Sequence, residues 1–212
     1  MEENKKENQI GYKIITVGNS SVGKTSIIKR FILNQFDENV LTTLGINVSH
    51  KIIKVKDNKE IRLELVDTAG QERYNCLGKN YFKNADGILF VFAFDNSESF
   101  EDISNWIKIF EEYGDNKNIN KYLVGNKNDL IDDINVREED IKQFLINHND
   151  FTYKSISAKR EDNCVNDLFQ ELGEKIYERD IKDGNPLRKT SIRLTKEKKV
   201  TKKQCALKKC IL

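Results

Sequence analysis

The chain contains the stretch Gly18-Asn19-Ser20-Ser21-Val22-Gly23-Lys24-Thr25-Ser26, which begins with a match to the pattern G-x-x-x-x-G-K-[ST]. The stretch follows a short apolar segment at residues 12–17 and precedes apolar side chains at helical spacing. Small residues between a strand and a helix allow successive backbone N–H groups to face phosphate oxygens, and the helix N-terminus adds partial positive charge. We therefore expect a phosphate-binding loop in which Lys24 reaches the β- and γ-phosphates and the Thr25 hydroxyl ligates Mg²⁺.

Strand and helix patterns alternate along the rest of the chain. Short apolar runs predict strands at residues 12–17, 48–55, 61–66, 88–94, 121–125 and 151–156. Apolar side chains at helical spacing predict helices after the loop, across residues 100–110, near 137–146 and near 165–181. This alternation is typical of an α/β protein with a mostly parallel sheet.

Charge divides the chain into two units. The 212 residues carry 36 Lys and Arg and 34 Asp and Glu, but ten of the basic residues and a single acidic one lie in residues 187–212. An acidic body therefore precedes a basic tail. Because apolar periodicity stops near Pro186, we expect a flexible N-terminal arm at residues 1–10, one domain at 11–182 and a flexible basic tail at 183–212.

The sequence lacks the usual signals of a secreted or membrane-spanning protein. The longest apolar run, residues 88–94, has seven residues, whereas a bilayer span needs about 20. No apolar stretch follows the charged N-terminus, so we expect no signal peptide. The four cysteines show neither disulfide density nor paired metal-ligand spacing, which favours a reduced, intracellular protein.

A second motif selects the base. Asn126-Lys127-Asn128-Asp129 directly follows the predicted strand at 121–125. A carboxylate at Asp129 can accept hydrogen bonds from N1–H and the exocyclic amine of guanine, a donor pair that adenine lacks. Asn126 can bond the base edge and brace the phosphate loop, and the aliphatic stem of Lys127 can lie over the ring. After the next strand, Ser157-Ala158-Lys159 can supply backbone N–H groups for the guanine carbonyl.

Two further segments carry the residue types needed for triphosphate chemistry. Asp67-Thr68-Ala69-Gly70-Gln71-Glu72-Arg73 ends the third predicted strand. Asp67 can hold Mg²⁺ through water, the Gly70 N–H can contact a γ-phosphate, and Gln71 can orient an attacking water. Upstream, Thr43 can place its hydroxyl on Mg²⁺ and its backbone on the γ-phosphate. Together these residues predict binding of GTP and GDP with Mg²⁺, and hydrolysis of GTP.

With these nucleotide motifs in order, residues 10–182 resemble a Ras-superfamily small GTPase, most similar to the Rab family. The resemblance implies a P-loop NTPase fold with a six-stranded, mostly parallel sheet flanked by about five helices. It implies a guanine ring stacked on Phe36 and Lys127, and two switch segments near residues 40–48 and 71–82. The switch and effector positions are Val40, Leu44, Gly45, Ile46, Val48, Val66, Tyr74 and Tyr81.

The chain departs from the Rab pattern at aromatic positions. Rab proteins usually have Trp where this chain has Val66 and an aromatic residue where it has Val48. Tyr81 is then the remaining member of an aromatic triad that many Rab effectors contact, so we expect unusual partners. Gln71 is kept, so we expect hydrolysis to remain. No arginine is clearly placed to act in cis, which makes slow turnover without an activating protein the expectation.

The tail departs as well. Cys210-Ile211-Leu212 places cysteine third from the end, so the tail is not a C-a-a-X box. The resemblance allows geranylgeranylation at Cys210, with Cys205 as a further candidate. It implies a monomer that meets an exchange factor, a GTPase-activating protein, effectors and a prenyl-binding dissociation inhibitor. The expected location is cytoplasmic, at the cytosolic face of an intracellular compartment, where the basic tail meets an anionic leaflet.

Four alternatives stay open at this point. An ATP-dependent P-loop kinase would lack the chemistry of Asn126 and Asp129. A nucleotide-locked scaffold would share the binding motifs without turnover, and a Ras-like signalling GTPase outside trafficking would share them with turnover. A nucleic-acid binder acting through the tail would show steep salt dependence, but the acidic body lacks a clustered basic face, so we expect no nucleic-acid partner.

Overall fold

The computed structural model describes residues 10–38, 45–68, 79–114 and 118–184. Its strands are β1 (Ile10–Val17), β2 (Ile46–Lys54), β3 (Glu60–Thr68), β4 (Gly87–Ala93), β5 (Asn120–Asn126) and β6 (Phe151–Ser155). Its α-helices are α1 (Lys24–Leu33), α2 (Lys79–Phe82), α3 (Ser97–Glu101), α4 (Ile103–Tyr113), α5 (Glu138–Asn147) and α6 (Cys164–Lys182). Short 3₁₀ turns lie at Lys56–Asn58 and Ile131–Asp133.

The six strands form one sheet in the order β2-β3-β1-β4-β5-β6. β2 runs antiparallel to β3, and the other neighbouring strands run parallel. All seven residues of β4 are buried, as expected for a central strand covered on both faces. The predicted α/β class and the six-stranded, mostly parallel sheet are confirmed.

Two hydrophobic clusters cover the two faces of the sheet. Because side chains alternate along a strand, Ile14 faces the first cluster and Ile15 the second. The first cluster joins the sheet to α1 and α6, where Phe31 stacks on Phe169 with ring centroids 4.2 Å apart. The second joins it to α4 and α5, and includes Trp106. Because helices cover both faces of the sheet, we expect a binding site at the ends of the strands.

Two boundaries differ from the predictions. β1 begins at Ile10, which pairs with Ile61, two residues before the predicted start of the strand at residue 12. The helix predicted across residues 100–110 is divided at Asp102, because the amides of Asn105 and Trp106 both bond to the Asp102 carbonyl and start a new helix there. Among the described helices, none is long and apolar enough to cross a bilayer.

The parallel strands bring the sequence motifs to one edge. The loop after β1, the end of β3, and the segments after β4, β5 and β6 all lie at the carboxyl ends of their strands. In open α/β sheets this edge is where ligands bind.

Candidate nucleotide-binding site

A cleft of about 400 Å³ opens at the carboxyl edge of the sheet. It is lined by Ser20, Ser21, Gly23, Lys24, Thr25, Ser26, Phe36, Asp37, Glu38, Thr68, Asn126, Lys127, Asp129, Leu130, Ala158 and Lys159. The cleft therefore brings together the phosphate motif, the predicted base motif and the Ser157-Ala158-Lys159 segment.

The loop after β1 has a backbone that requires glycine at two positions. Gly18 has φ +142° and Gly23 has φ +94°, both in the region that disfavours side chains. A Cβ on Gly18 would lie 2.1 Å from the Val91 carbonyl oxygen, and one on Gly23 would lie 2.2 Å from Asn126 Nδ2. Ser21 also has a positive φ, of 63°. Such a loop can curve its amides around an anion.

Lys24 is held in the loop by backbone carbonyls. Its Nζ donates to the carbonyl oxygens of Gly18 and Asn19, each at 2.8 Å, and the residue is 4% exposed. Burial lowers the pKa of Lys24 to about 8, although the nearby Asp67 carboxylate acts in the opposite direction. A buried cation at the mouth of a glycine loop is suited to an anionic ligand.

Thr25 and Asp67 meet as the sequence predicts. The Thr25 hydroxyl donates to Asp67 Oδ2 at 2.6 Å, and Asp67 is 2% exposed. Its other oxygen, Oδ1, is buried and has no hydrogen-bond partner among the residues that the structure describes. Burial raises the pKa of Asp67, and the Thr25 hydrogen bond opposes this.

This pair fits Mg²⁺, because a hydroxyl and an unpaired carboxylate oxygen are hard oxygen ligands. Among the described residues, no group of three or more His, Cys, Asp or Glu could hold a metal ion on its own. A cation here would therefore need ligands of other kinds as well, such as hydroxyl, phosphate or water oxygens.

Asn126 braces the phosphate loop, as predicted. Its Nδ2 donates to the Val22 carbonyl at 2.8 Å, and its Oδ1 accepts from the Ala158 amide at 3.1 Å. The side chain is 2% exposed and joins the two loops on either side of the cleft. The Nδ2 group keeps a second hydrogen and Oδ1 a second lone pair, so the contact of Asn126 with a base edge stays a prediction.

Ser157 fixes the orientation of Asp129. The Ser157 hydroxyl donates to Asp129 Oδ1 at 2.5 Å and accepts from the amides of Lys159 and Arg160, each at 3.1 Å. The Ala158 amide donates to Asn126 Oδ1, and the Lys159 amide donates to the Ser157 hydroxyl. The contact of these amides with a guanine carbonyl stays a prediction.

Lys127 and Phe36 lie on the walls of the cleft. Lys127 has φ +65°, and its Nζ lies 3.0 Å from Asp95 Oδ2. Phe36 packs against the first core cluster. Both residues line the cleft, as the stacking prediction requires.

Sequence reasoning missed several residues that support the cleft. Arg30 is 4% exposed and donates to the carbonyls of Ala158 (2.9 Å), Lys159 (3.0 Å) and Asn34 (3.1 Å). Its position beside Phe31 on the buried side of α1 is the one sequence feature that could have indicated this role. Asp95 follows β4 outside any recognised motif, so nothing in the sequence indicated its pairing with Lys127.

The predicted effector positions that the structure describes differ in exposure. Val48, on β2, is 45% exposed, and Ile46 is 53% exposed. In contrast, Val66 is 3% and Tyr81 is 5% exposed. Both belong to the second core cluster, and the Tyr81 hydroxyl lies 2.9 Å from the Thr16 carbonyl oxygen. In this conformation Val66 and Tyr81 are core residues that offer a partner almost no surface.

Other predicted positions can be placed only in part. Gly45 has φ +80°, and a Cβ added to it would have no atom of the described residues within 4 Å. The positions that lie outside the described residues are Val40, Thr43, Leu44, Gly70, Gln71, Tyr74, Cys205 and Cys210.

Comparison with known proteins gives one consistent result. The model of the Ras family matches residues 13–178. The chain is 32% identical over 197 residues to Ras-related protein Rab-1 of Theileria annulata, covering 92% of this chain and 88% of the relative. It is 36% identical over 165 residues to Rab-11B of Dictyostelium discoideum, covering 78% and 73%. It is 30% identical over 197 residues to Rab-9A of Rattus norvegicus, covering 92% and 96%.

Proposed function

The chain belongs to the Ras family, and from that membership we propose that it is a Rab-like switch that cycles between GDP and GTP in intracellular membrane traffic. Members of this family bind guanine nucleotides and hydrolyse GTP. The observation that carries the proposal is the two-part cleft, with Lys24, Thr25 and Asp67 at one end and Asp129 at the other.

Base selection rests on Asp129. Its carboxylate, oriented by Ser157, would accept from N1–H and the exocyclic amine of guanine. Adenine would leave the carboxylate without these donors, at a cost of about 1–3 kcal/mol. Phe36 and the stem of Lys127 would flank the ring.

Phosphate binding rests on the loop after β1. Lys24 would contact the β- and γ-phosphates, and the loop amides would supply further donors. Thr25, Asp67 and Thr43 would hold Mg²⁺, with Asp67 acting through a water. When bound, the metal would neutralise charge on the phosphates.

Hydrolysis converts GTP and water into GDP and phosphate. Gln71 would orient the attacking water, and the Gly70 N–H would contact the γ-phosphate. Loss of that phosphate would release Thr43 and Gly70, which changes the two switch segments that effectors bind. Turnover would be slow without an activating protein.

Membrane attachment would use the tail. One lipid chain gives marginal binding, so stable anchoring generally needs a second signal. A prenyl chain at Cys210 and the ten basic residues between Arg188 and Lys209 would supply the two. An exchange factor, an activating protein, effectors and a prenyl-binding dissociation inhibitor would complete the cycle.

Nucleotide specificity is tested with Asp129→Asn. The unaltered full-length chain should bind GDP and not ADP, and the variant should lose about tenfold or more of its GDP affinity. An asparagine can donate where the carboxylate accepts, so the variant should gain affinity for xanthosine diphosphate. Equal binding of ADP and GDP by the unaltered chain would contradict the proposal.

Turnover is tested in single-turnover assays of phosphate release. Gln71→Leu should slow release and accumulate the GTP form, while GTP binding stays intact. If neither protein releases phosphate, with or without an activating protein, the chain is a nucleotide-bound scaffold.

The membrane role is tested by fractionating cells that express the full chain in physiological salt. Cys210→Ser should move most of the protein to the soluble fraction, and Cys205→Ser, the matched control, should do so less. An unmodified Cys210 in the membrane pool, seen by intact mass, would contradict the lipid anchor.

A further inference from the structure

The side chain of Asn19, in the phosphate loop, is held by two residues distant in sequence. The Trp106 indole N–H donates to Asn19 Oδ1 at 3.0 Å, and Asn19 Nδ2 donates to Asp102 Oδ2 at 2.7 Å. The amide thus has one partner for its acceptor and one for its donor group, which defines its orientation.

The two partners lie on a rigid part of the fold. Trp106 is 2% exposed and sits in the second core cluster on α4. Asp102, at the start of α4, also accepts from Asn105 Nδ2 at 3.0 Å through its other oxygen, Oδ1. A packed indole and a carboxylate at a helix start therefore bind one loop side chain.

Asn19 also contributes to the environment of Lys24. Its backbone carbonyl accepts from Lys24 Nζ at 2.8 Å. Asn19 thus connects α4 with Lys24. Its side chain bonds to Asp102 and Trp106, and its backbone carbonyl accepts from Lys24 Nζ. A shift of Asn19 would move both the loop backbone and the charge at the phosphate end of the cleft.

We propose that Asp102 and Trp106 are positioning residues for the phosphate end of the site, acting on Lys24 and the loop backbone through Asn19. They act on the β-phosphate end and not on the base end, which has its own supports in Asn126 and Ser157. This inference rests on the proposed function, since it requires a nucleoside diphosphate in the cleft.

The test compares GDP with GMP, because GMP has the same base and ribose and lacks the β-phosphate. Binding is measured on the nucleotide-stripped, full-length chain carrying Asn19→Ala, Trp106→Phe or both. Each single variant should weaken GDP binding about fivefold, on the scale of one lost hydrogen bond, and leave GMP binding within about twofold. The double variant should bind GDP no less tightly than the single variant with the lower affinity, since both substitutions disrupt the same hydrogen-bonded unit.

Asn105→Ala is the matched control, because Asn105 is exposed and bonds to Asp102 without touching Asn19. It should leave both affinities unchanged. Trp106 is the single tryptophan of the chain, so its indole N–H signal reports the bond directly, and Asn19→Ala should shift that signal. If Trp106→Phe fails to fold, Asn19→Ala carries the test alone.

The outcomes separate this inference from the proposed function. If the unaltered chain binds neither nucleotide, the proposed function fails and this inference fails with it. If it binds both and the variants weaken GDP and GMP equally, or weaken neither, the positioning role alone is overturned.

Discussion

The two ends of the cleft are built by different means. The phosphate end depends on backbone conformation and buried charge. Gly18 and Gly23 have positive φ, Lys24 is desolvated, and one buried oxygen of Asp67 has no partner in the described part of the chain. The base end depends on side-chain hydrogen bonds, such as those that Asn126 makes to both neighbouring loops.

This difference has a thermodynamic consequence. A buried cation and an unpaired buried oxygen each cost folding free energy, and a phosphate group with its metal would offset both costs. The hydrogen bonds of the base end, in contrast, stabilise the fold before any ligand arrives. Substitutions at the phosphate end should therefore weaken nucleotide binding with little change in the free energy of unfolding. Substitutions at the base end should lower both.

The strongest test of this contrast is Lys24→Met. Loss of the charge-assisted bonds to phosphate, worth about 1.5–3 kcal/mol each, should weaken GDP binding by about 100-fold or more. The free energy of unfolding of the nucleotide-free chain should change by no more than about 1 kcal/mol, because lost hydrogen bonds are offset by removal of a buried cation. Calorimetric titration and urea unfolding measure the two quantities. A large loss of stability would mean that Lys24 is a structural residue and would break the contrast.

Asn126→Ala is the counterpart at the base end. It leaves the Val22 carbonyl and the Ala158 amide without their partner, so the free energy of unfolding should fall by about 2 kcal/mol. GDP affinity should fall about tenfold, because both loops lose their brace. The same two measurements apply, and the control is Asn128→Ala, whose Nδ2 bonds to the Ser155 hydroxyl at the end of β6. If Asn126→Ala weakened GDP binding without changing the free energy of unfolding, the base end would behave like the phosphate end.

The sequence predicted best those features that a local pattern encodes. The spacing of Gly18, Gly23 and Lys24 fixes a strand-to-helix turn, and Asp67 and Asn126 follow apolar strands. Since parallel strands end at one edge, their meeting in one cleft could be expected from the order of elements alone.

Long-range side-chain bonds could not be predicted in this way. Arg30 bonds to Ala158, 128 positions away, and Trp106 bonds to Asn19, 87 positions away, and neither pair forms a pattern within a sequence window. The burial of Val66 and Tyr81 was missed for a related reason, because the sequence of β3 or of the short helix α2 does not show which neighbours cover a side chain. The partners of the Ala158 amide likewise depend on packing between loops.

The pH dependence of binding should distinguish the two ends with a smaller effect. Burial lowers the pKa of Lys24 to about 8, and a bound phosphate would raise it again. Because the bound phosphate raises the pKa of Lys24, GDP binds best while Lys24 is protonated, below the pKa that it has in the free protein. GDP affinity should therefore be constant near pH 7 and fall about fourfold by about pH 8.5. GMP has the same titrating base as GDP and lacks the β-phosphate. The ratio of GDP affinity to GMP affinity should therefore show the effect of Lys24 titration. A ratio independent of pH would indicate that Lys24 does not titrate in this range.

The smallest effect is expected at the mouth of the cleft, where Glu38→Gln removes an ion pair between its two walls. Lys159 Nζ lies 2.7 Å from Glu38 Oε1, and both side chains line the cleft near Phe36. The side chains of Lys159 and Glu38 are 55% and 69% exposed, so solvent screens their attraction, and such pairs contribute little. The pair nevertheless links the chain after α1 to the base end of the cleft. We expect GDP to dissociate about twice as fast from Glu38→Gln at low salt and at the unaltered rate in about 1 M salt, where the Debye length is about 3 Å. Measurement of the dissociation rate at both salt concentrations decides between this and a structural role for Glu38, which would give a faster rate independent of salt.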